Sequence, residues 1–442
     1  MSGLSGFPTT ADGMPMPADS TPPVRSGRER ADLVFVYAAY ALRYVYLLVL
    51  TPFYGRVLGV DGYAQVLAAM SLMNMVWLFV SWGFVPAGGR EIATASRSTY
   101  GDIFWRHFSA RTLLAGLALV AGIVASFASP VLARQPLIGV CAVLLGIVSA
   151  YNLGWYFTAS QRPRATVKLE VLGFILSLVP ILLLVRHKDD AIIVLACLLV
   201  SAFLSLLLAH WWVKREILPL RFVRERGLKL VSETSTLFIY NCSSAILVAS
   251  STFLLSLLAS SSEVGHFGAA ERLVSVGLSV MGPAGQIFIP RITALFARDE
   301  RAAYGEIRKA LVVLFGTGVA GLCFSLALGP WIVPLIFGQG FAGSVPILRM
   351  LACVFPLAAL TLIIGNYILV PLHQEKILTR ITIGGAVLNL LIAIPASLAW
   401  GAMGMAVARV VGEAVVASLL IHALWRMGIL GRLVADFSRR KS

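Results

Sequence analysis

The chain has 442 residues, of which 58% are hydrophobic and only 13% are charged, and its mean hydropathy is +0.86. This composition excludes a soluble globular protein of this length and indicates a chain that lies largely in a membrane. The formal net charge of +15 arises from 36 Lys and Arg against 21 Asp and Glu. Most of these charges stand between apolar stretches, which predicts contact with anionic lipid and no nucleic-acid partner.

Residues 1–31 are rich in Pro, Gly, Ser and Thr and contain no apolar run of signal-peptide length, so we expect a disordered cytoplasmic tail. Twelve apolar stretches follow. Each is close to the roughly 20 residues that a helix rising 1.5 Å per residue needs to cross a bilayer. They lie at residues 33–53, 64–86, 112–130, 137–159, 168–185, 191–213, 234–259, 266–289, 308–329, 345–370, 377–399 and 401–424.

A basic segment at residues 214–231 divides these stretches six and six. The sequence therefore predicts an all-α polytopic membrane protein of two pseudo-symmetric six-helix lobes, residues 32–213 and 232–426, with a basic tail at 427–442. The second stretch opens with "GYAQVLAAM" from Gly62 and the eighth with "GHFGAAERL" from Gly265, an offset of about 200 residues. A parallel repeat of this kind is typical of transporters, and chance similarity between apolar helices is the alternative.

The positive charges alternate from loop to loop. The two tails and the loops after the even-numbered stretches, counted with the first four residues of the stretches that follow these loops, hold 28 of the 36 Lys and Arg residues, and the opposite loops hold four. The positive-inside rule then predicts that both termini are cytoplasmic. The longest loops are about 20 residues, around Arg90 to Arg111 and Lys214 to Ser232. Such loops leave little room for a catalytic domain on either side.

The remaining four cations fall inside predicted spans: Arg43, Arg272, Arg349 and Arg409. A charge at that depth costs about 2.5–3.5 kcal/mol on insertion scales, so each is expected to face a partner or a wet cavity. Arg409 has an alternative, because Glu413 is four residues away and the two could simply pair.

Arg349 is shallow enough for its guanidinium to reach the lipid headgroups. Only two acids stand at comparable depth, Glu271 and Glu413, and both are candidate coupling acids. No acid is expected at depth in the N-terminal spans. The resulting net positive site favours an anion, and a diphosphate suits arginine because its oxygens accept paired hydrogen bonds.

Asn152, Tyr156 and Asn366 lie near span ends and are candidate sugar or gating contacts, with ordinary interhelical hydrogen bonding as the alternative. Other chemistry is not indicated. The five Cys and six His residues show no metal-ligand spacing, and no phosphate-binding glycine loop of the Walker type occurs. We expect no cofactor, no metal and no catalytic residue.

Several segments together resemble the polysaccharide exporter family, the Wzx-type O-antigen and exopolysaccharide flippases of the multidrug/oligosaccharidyl-lipid/polysaccharide exporter superfamily. They are "LGVDGYAQ" (58–65), "GFVPAGGREIA" (83–93), "WYFTASQ" (155–161), "VGHFGAAERL" (264–273) and "LIFGQGFAGSVPILRML" (335–351). The resemblance implies two lobes around a cationic cavity in the bacterial inner membrane. It also implies an oligosaccharide cargo on undecaprenyl diphosphate, with Arg43 and Arg272 facing the cavity. A polysaccharide polymerase and chain-length proteins are candidate partners.

Three functions stay open at this point. The first is a flippase that moves lipid-linked oligosaccharide to the outer leaflet by alternating access. The second is a cation-coupled multidrug antiporter of the same superfamily, which would need an acid in the N-terminal lobe. The third is a membrane polymerase or ligase of the same pathway, which would need a sizeable outward loop.

Overall fold

The computed structural model describes residues 27–218, 222–249, 251–296 and 298–431, and in these ranges helices are the only regular secondary structure. The α-helices are α1 Gly27–Ser81, α2 Phe84–Thr94, α3 Tyr100–Ala128, α4 Pro130–Ala133, α5 Pro136–Ala150, α6 Gly154–Ala159, α7 Pro163–Leu184, α8 Ala191–Ile217, α9 Arg224–Ala249, α10 Ser251–Leu258, α11 Ser261–Ser279, α12 Gly282–Phe296, α13 Glu300–Phe337, α14 Ser344–Leu351, α15 Val354–Leu362 and α16 Glu375–Arg426. Short 3-10 turns at Arg97–Thr99 and Gln339–Phe341 and a π-helix at Ile363–Leu369 complete them. The predicted all-α polytopic class is confirmed.

Two long helices bend at glycine. The backbone of α1 leaves helical geometry at Gly59, where φ is 67°, and α16 does so at Trp400 and Gly401, where φ is 54° at the glycine. Both breaks fall between two predicted spans, and glycine adopts such angles without the steric cost that a side chain brings. At Gly401 there is also no room, because a Cβ would lie 1.5 Å from Glu263 Oε1.

Eight helices in the described ranges are long and apolar enough to cross a membrane, or nine if the bent pair Ser261–Gly285 and Phe288–Phe296 forms one broken span. The membrane-spanning character of the chain is therefore clear. The count of twelve spans in two lobes stays a prediction. It is compatible with α1 and α16, because each of them contains two of the predicted stretches.

Several predicted boundaries were wrong. α1 begins at Gly27, so residues 27–31 are helical, whereas residues 1–26 of the expected tail lie outside the described part. α3 begins at Tyr100 and not near 112, and α9 begins at Arg224 and not near 234. An apolar-run criterion misses these turns because charged and aromatic residues interrupt the run, yet the helix continues through them. The two longest predicted loops are consequently mostly helical.

Helices α1, α3, α5, α7 and α8 pack on one another, as do α11 and α13–α16. The two sets meet where α1 packs on α11 and α13, with α9 between α3 and α16 and α10 between α1 and α16. We call the contact between α1 and α11 the central junction. The division of the chain into lobes at residues 214–231 stays a prediction.

The outer face of the bundle is apolar. On α3, Leu117, Val120 and Val124 recur at helical spacing and are 64%, 66% and 64% exposed. A row of this kind on one helix face is unfavourable in water and is well suited to lipid. Polar side chains are accordingly directed inward, where the candidate site lies.

Candidate functional site

The central junction carries two of the charged residues predicted from the sequence. Glu271 and Arg272 are consecutive on α11, and their side chains meet different neighbours. Thr252 donates a hydrogen bond of 2.6 Å to Glu271 Oε2, and the same carboxylate lies within electrostatic reach of Arg409 on α16. Arg272 lies within electrostatic reach of Tyr63 on α1. Successive helical side chains point about 100° apart, which separates the two directions. Arg272 is thus the member of the pair nearer the N-terminal helices.

Arg409 and Glu413 are half-buried on α16. Thr361 on α15 donates a hydrogen bond of 2.9 Å to Glu413 Oε1. The proposed pairing of Arg409 with Glu413 stays a prediction. The contacts of Glu271 nevertheless bring Arg409 and Arg272 to one region of the protein, as the cationic-cavity prediction requires.

The other two arginines are not shown to join this group. Arg349 is exposed on the short helix α14, which is the position that a guanidinium reaching the headgroups requires. The side chain of Arg43 lies outside the described part of the structure. Its place in the cavity stays a prediction.

The three candidate sugar or gating residues occupy different environments. Asn152 is exposed after α5, and its Oδ1 accepts a hydrogen bond of 2.7 Å from the Gly154 amide. Tyr156 is fully buried and donates a hydrogen bond of 2.6 Å to Glu216. Asn366 is half-buried within the π-helix, a distortion that often marks functional sites in helices. Their predicted contacts with substrate stay predictions.

Tyr156 belongs to a clamp that sequence reasoning missed. Arg162 donates to both carboxylate oxygens of Glu216, at 2.8 and 2.7 Å, and its guanidinium lies 5.7 Å from the centre of the Tyr156 ring. A bidentate pair of this kind fixes geometry more firmly than a single contact. It ties the start of α7 to the end of α8. The Tyr156 hydroxyl is therefore engaged within the protein.

A cavity of about 460 Å³ lies among α1, α5, α7 and α8, and we call it the N-terminal cavity. Its polar lining side chains are Tyr46, Ser149, Asn152, Thr166, Glu170, Ser177, Ser201 and Ser205. Glu170 is the one charged residue among the described lining side chains. This corrects the expectation that no acid lies at depth in the N-terminal spans. α7 begins at Pro163, five residues before the apolar run, so Glu170 is two turns inside the helix.

Arg111 was also missed, because it was assigned to a loop. It is 2% exposed on α3, and its guanidinium lies 5.6 Å from the Phe84 ring centre and 5.2 Å from that of Trp155. Its Nε and Nη2 have no hydrogen-bond partner among the residues that the structure describes. Phe104 and Phe108 precede Arg111 by seven and three residues, and this helical spacing was the available signal. Cation–π contact is the stabilising interaction that the structure shows for this buried charge.

Within the described ranges no group of three or more His, Cys, Asp or Glu side chains is placed to hold a metal ion. The functional groups of the candidate site residues are therefore guanidinium groups, single carboxylates and hydroxyls. These groups bind and orient polar ligands.

A family model described as "Polysaccharide biosynthesis protein" matches residues 32–296, more than half of the chain. The chain belongs to this polysaccharide biosynthesis protein family. Two relatives are both named "Putative O-antigen transporter". The one from Shigella dysenteriae is 22% identical over 402 residues, covering 89% of this chain and 100% of that protein. The one from Escherichia coli (strain K12) is 22% identical over 413 residues, covering 89% and 95%.

Solved structures share the fold of this polysaccharide biosynthesis family member. The "Lipid II flippase MurJ, inward closed conformation" superposes with a TM-score of 0.69 at 12% identity, covering 91% of this chain and 89% of that one. An inward-facing multidrug resistance MATE family transporter superposes with a TM-score of 0.62 at 15% identity, covering 87% and 98%. These likenesses show that the chain shares the fold of these two transporters.

The structure brings the family-like motifs together in two places. Residues 58–65, 264–273 and 335–351 meet at one end of the central junction, where the Tyr63 ring lies 5.7 and 5.8 Å from those of Phe337 and Phe341. Residues 83–93 and 155–161 meet around Arg111. Both places are packing centres of this polysaccharide biosynthesis protein.

Proposed function

We propose that the protein moves an undecaprenyl-diphosphate-linked oligosaccharide from the cytoplasmic to the outer leaflet of the bacterial inner membrane. The observation that carries the proposal is the position of Arg272 at the central junction, beside α1 and close to Arg409. Arg272 and Arg409 both lie within electrostatic reach of Glu271 there, and Glu413 is one helical turn from Arg409. The paired donors of the two guanidinium groups suit the diphosphate of the carrier lipid.

The charge of the junction matters because it lies among apolar helices. Coulombic interactions are several times stronger there than in water, so an anionic headgroup would be drawn in and a cation repelled. The prenyl chain would stay in lipid or between helices. Alternating access about the central junction would then expose the headgroup to each side in turn.

Names of the relatives support this cargo. Two proteins that match nearly the whole chain are called O-antigen transporters, and a structure with the same fold is called a lipid II flippase. All three are described as moving or exporting a substrate. We propose no catalytic step for this chain. Both termini would lie in the cytoplasm, and a polysaccharide polymerase and chain-length proteins would act on the exported product.

A second candidate function is export of organic cations, and Glu170 favours it. This acid lines the N-terminal cavity among apolar side chains that include Met70 and Met73. Adaptable methionines beside a carboxylate could accept a lipophilic cation. The two functions depend on different charged residues. Arg272 would be required for transport of the lipid-linked sugar, and Glu170 for transport of the cation.

The test of the first function is complementation of a deletion strain by charge variants. Arg272→Ala should abolish surface polysaccharide while protein remains in the membrane, because a cation expected to meet the diphosphate is lost. Arg272→Lys should restore it only partly, since lysine lacks the paired donors. Arg301→Ala, at an exposed position at the start of α13, is the matched control. Normal polysaccharide in a well-expressed Arg272→Ala strain would refute the anion-site proposal.

A further inference from the structure

The N-terminal cavity differs in charge from the central junction. Among the residues whose side chains the structure describes, its lining contains no Lys, Arg or His, and Glu170 is the one acid. A diphosphate would be repelled by that carboxylate, so the cavity is unsuited to the carrier headgroup. Its ligand must instead be neutral or cationic.

The free polar groups of the cavity can be identified from its hydrogen bonds. Ser177 and Ser201 both donate to the Gly173 carbonyl, at 2.8 and 2.7 Å, and are engaged. Glu170 has no hydrogen-bond or ion-pair partner among the described residues, and the buried Ser205 Oγ also has none. Unpaired polar groups inside a protein are costly, and a ligand that satisfies them gains affinity.

The amide of Asn152 adds a donor. Its Oδ1 is used by the Gly154 amide, which leaves the amide nitrogen directed to other partners. An apolar wall faces these groups, formed by Phe174, which stacks on Tyr46 at 4.7 Å between ring centres, together with Met70 and Met73. Hydrogen-bonding groups opposite an apolar wall suit a sugar, because a sugar carries hydroxyls at its edges and apolar faces.

The dimensions of the N-terminal cavity also suit a saccharide. Glu170 and Ser177 line the cavity seven residues apart on α7, about 10 Å along the helix at 1.5 Å per residue. A volume of about 460 Å³ is within the range of small-molecule sites. A bare metal cation would need oxygens closing to within about 2.6 Å around it, which a cavity of this size does not provide.

We infer that the N-terminal cavity binds a saccharide unit of the cargo, with Glu170 accepting hydrogen bonds from sugar hydroxyls and Ser205 and Asn152 completing the contacts. This inference rests on the proposed function, because it assigns the sugar part and the diphosphate part of one substrate to separate places. The sugar would lie among the N-terminal helices, and the diphosphate at the central junction near Arg272. Selection between sugars would then be a property of α5, α7 and α8.

The test uses the purified full-length protein and three probes: lipid-linked oligosaccharide extracted from the host, bare undecaprenyl diphosphate, and the organic cation tetraphenylphosphonium. Apparent affinity is measured by ligand-dependent thermal stabilisation. Glu170→Ala should weaken binding of the glycosylated lipid about tenfold or more, the effect of losing hydrogen bonds to a charged group, and leave bare undecaprenyl diphosphate unchanged. Glu170→Gln should lose less, because the amide still accepts hydrogen bonds. Glu225→Gln, an exposed acid at the start of α9, is the control.

Ser205→Ala provides a second, smaller perturbation that removes the unpaired hydroxyl, and it should weaken binding of the glycosylated lipid alone. Unchanged binding of the glycosylated lipid to both Glu170→Ala and Ser205→Ala overturns the inference. So does an equal loss of both lipids, or tetraphenylphosphonium binding that disappears in Glu170→Gln. The proposed function fails differently: bare undecaprenyl diphosphate would then bind wild type and Arg272→Ala alike.

Discussion

Thr252 on α10 donates a 2.6 Å hydrogen bond to Glu271 on α11, and this contact fixes the carboxylate that lies within electrostatic reach of Arg272 and Arg409. Thr252 is itself buried. Thr252→Val keeps the shape and removes the donor, so it should lower the free energy of unfolding by about 1–3 kcal/mol. Thr252→Ser keeps the donor and should behave nearly as wild type. Thermal unfolding in detergent measures both, and a Val variant as stable as the Ser variant would show that the bond is unimportant.

The alternation of 28 against four positive charges predicts the orientation of the chain in the membrane. Reporter domains fused after Ser442 or within residues 221–229 should give a cytoplasmic signal, and a reporter inserted near Ser261 should give an external one. Blotting of the membrane fraction verifies that each fusion protein is expressed and inserted. An external signal from the 221–229 fusion would contradict the orientation.

The order of the helices could largely be predicted from the sequence, because long apolar runs have few alternatives in a membrane. The start of α3 could not, since its first turns mix Trp105 and Phe108 with Arg106 and His107, and an apolar average does not detect a helix that buries charge. Arg272 and Glu271 were found because a charge within an apolar run is conspicuous. Glu170 and Arg111 were not, because Glu170 is only the third residue of such a run and Arg111 stands just before one. The surroundings of both side chains arise from packing between distant helices.

Gly401 is predicted to tolerate no side chain. Its φ of 54° is unfavourable for other residues, and a Cβ would lie 1.5 Å from Glu263 Oε1. Gly401→Ala should lower the free energy of unfolding by about 1–3 kcal/mol from backbone strain alone. Gly384→Ala, on the same helix, is the matched comparison, because nothing lies within 4 Å of its added Cβ. It should raise stability by about 0.5–1 kcal/mol. Equal thermal unfolding of the two variants would contradict the geometry at Gly401.

Glu91 on α2 forms an ion pair with Arg106 and a hydrogen bond of 3.3 Å with His107. Burial raises the pKa of Glu91, but the hydrogen bond and the positive charges outweigh it, so the pKa lies below its usual 4.5. A lowered pKa in the folded state stabilises the protein above pH 4.5, and the gain is lost as the pH falls through the folded-state pKa. The melting temperature of wild type should therefore exceed that of Glu91→Gln near neutral pH and approach it on acidification. A difference in melting temperature that stays constant down to the lowest pH measured would contradict this prediction.

The proposal that the arginines at the central junction bind an anionic cargo is tested most directly by the leaflet in which the lipid-linked oligosaccharide accumulates. Cells lacking the protein should retain lipid-linked oligosaccharide in the cytoplasmic leaflet, out of reach of an impermeant external probe, and should lose surface polysaccharide. Their resistance to cationic drugs should not change. Normal surface polysaccharide together with hypersensitivity to cationic drugs would contradict the flippase proposal and favour export governed by Glu170.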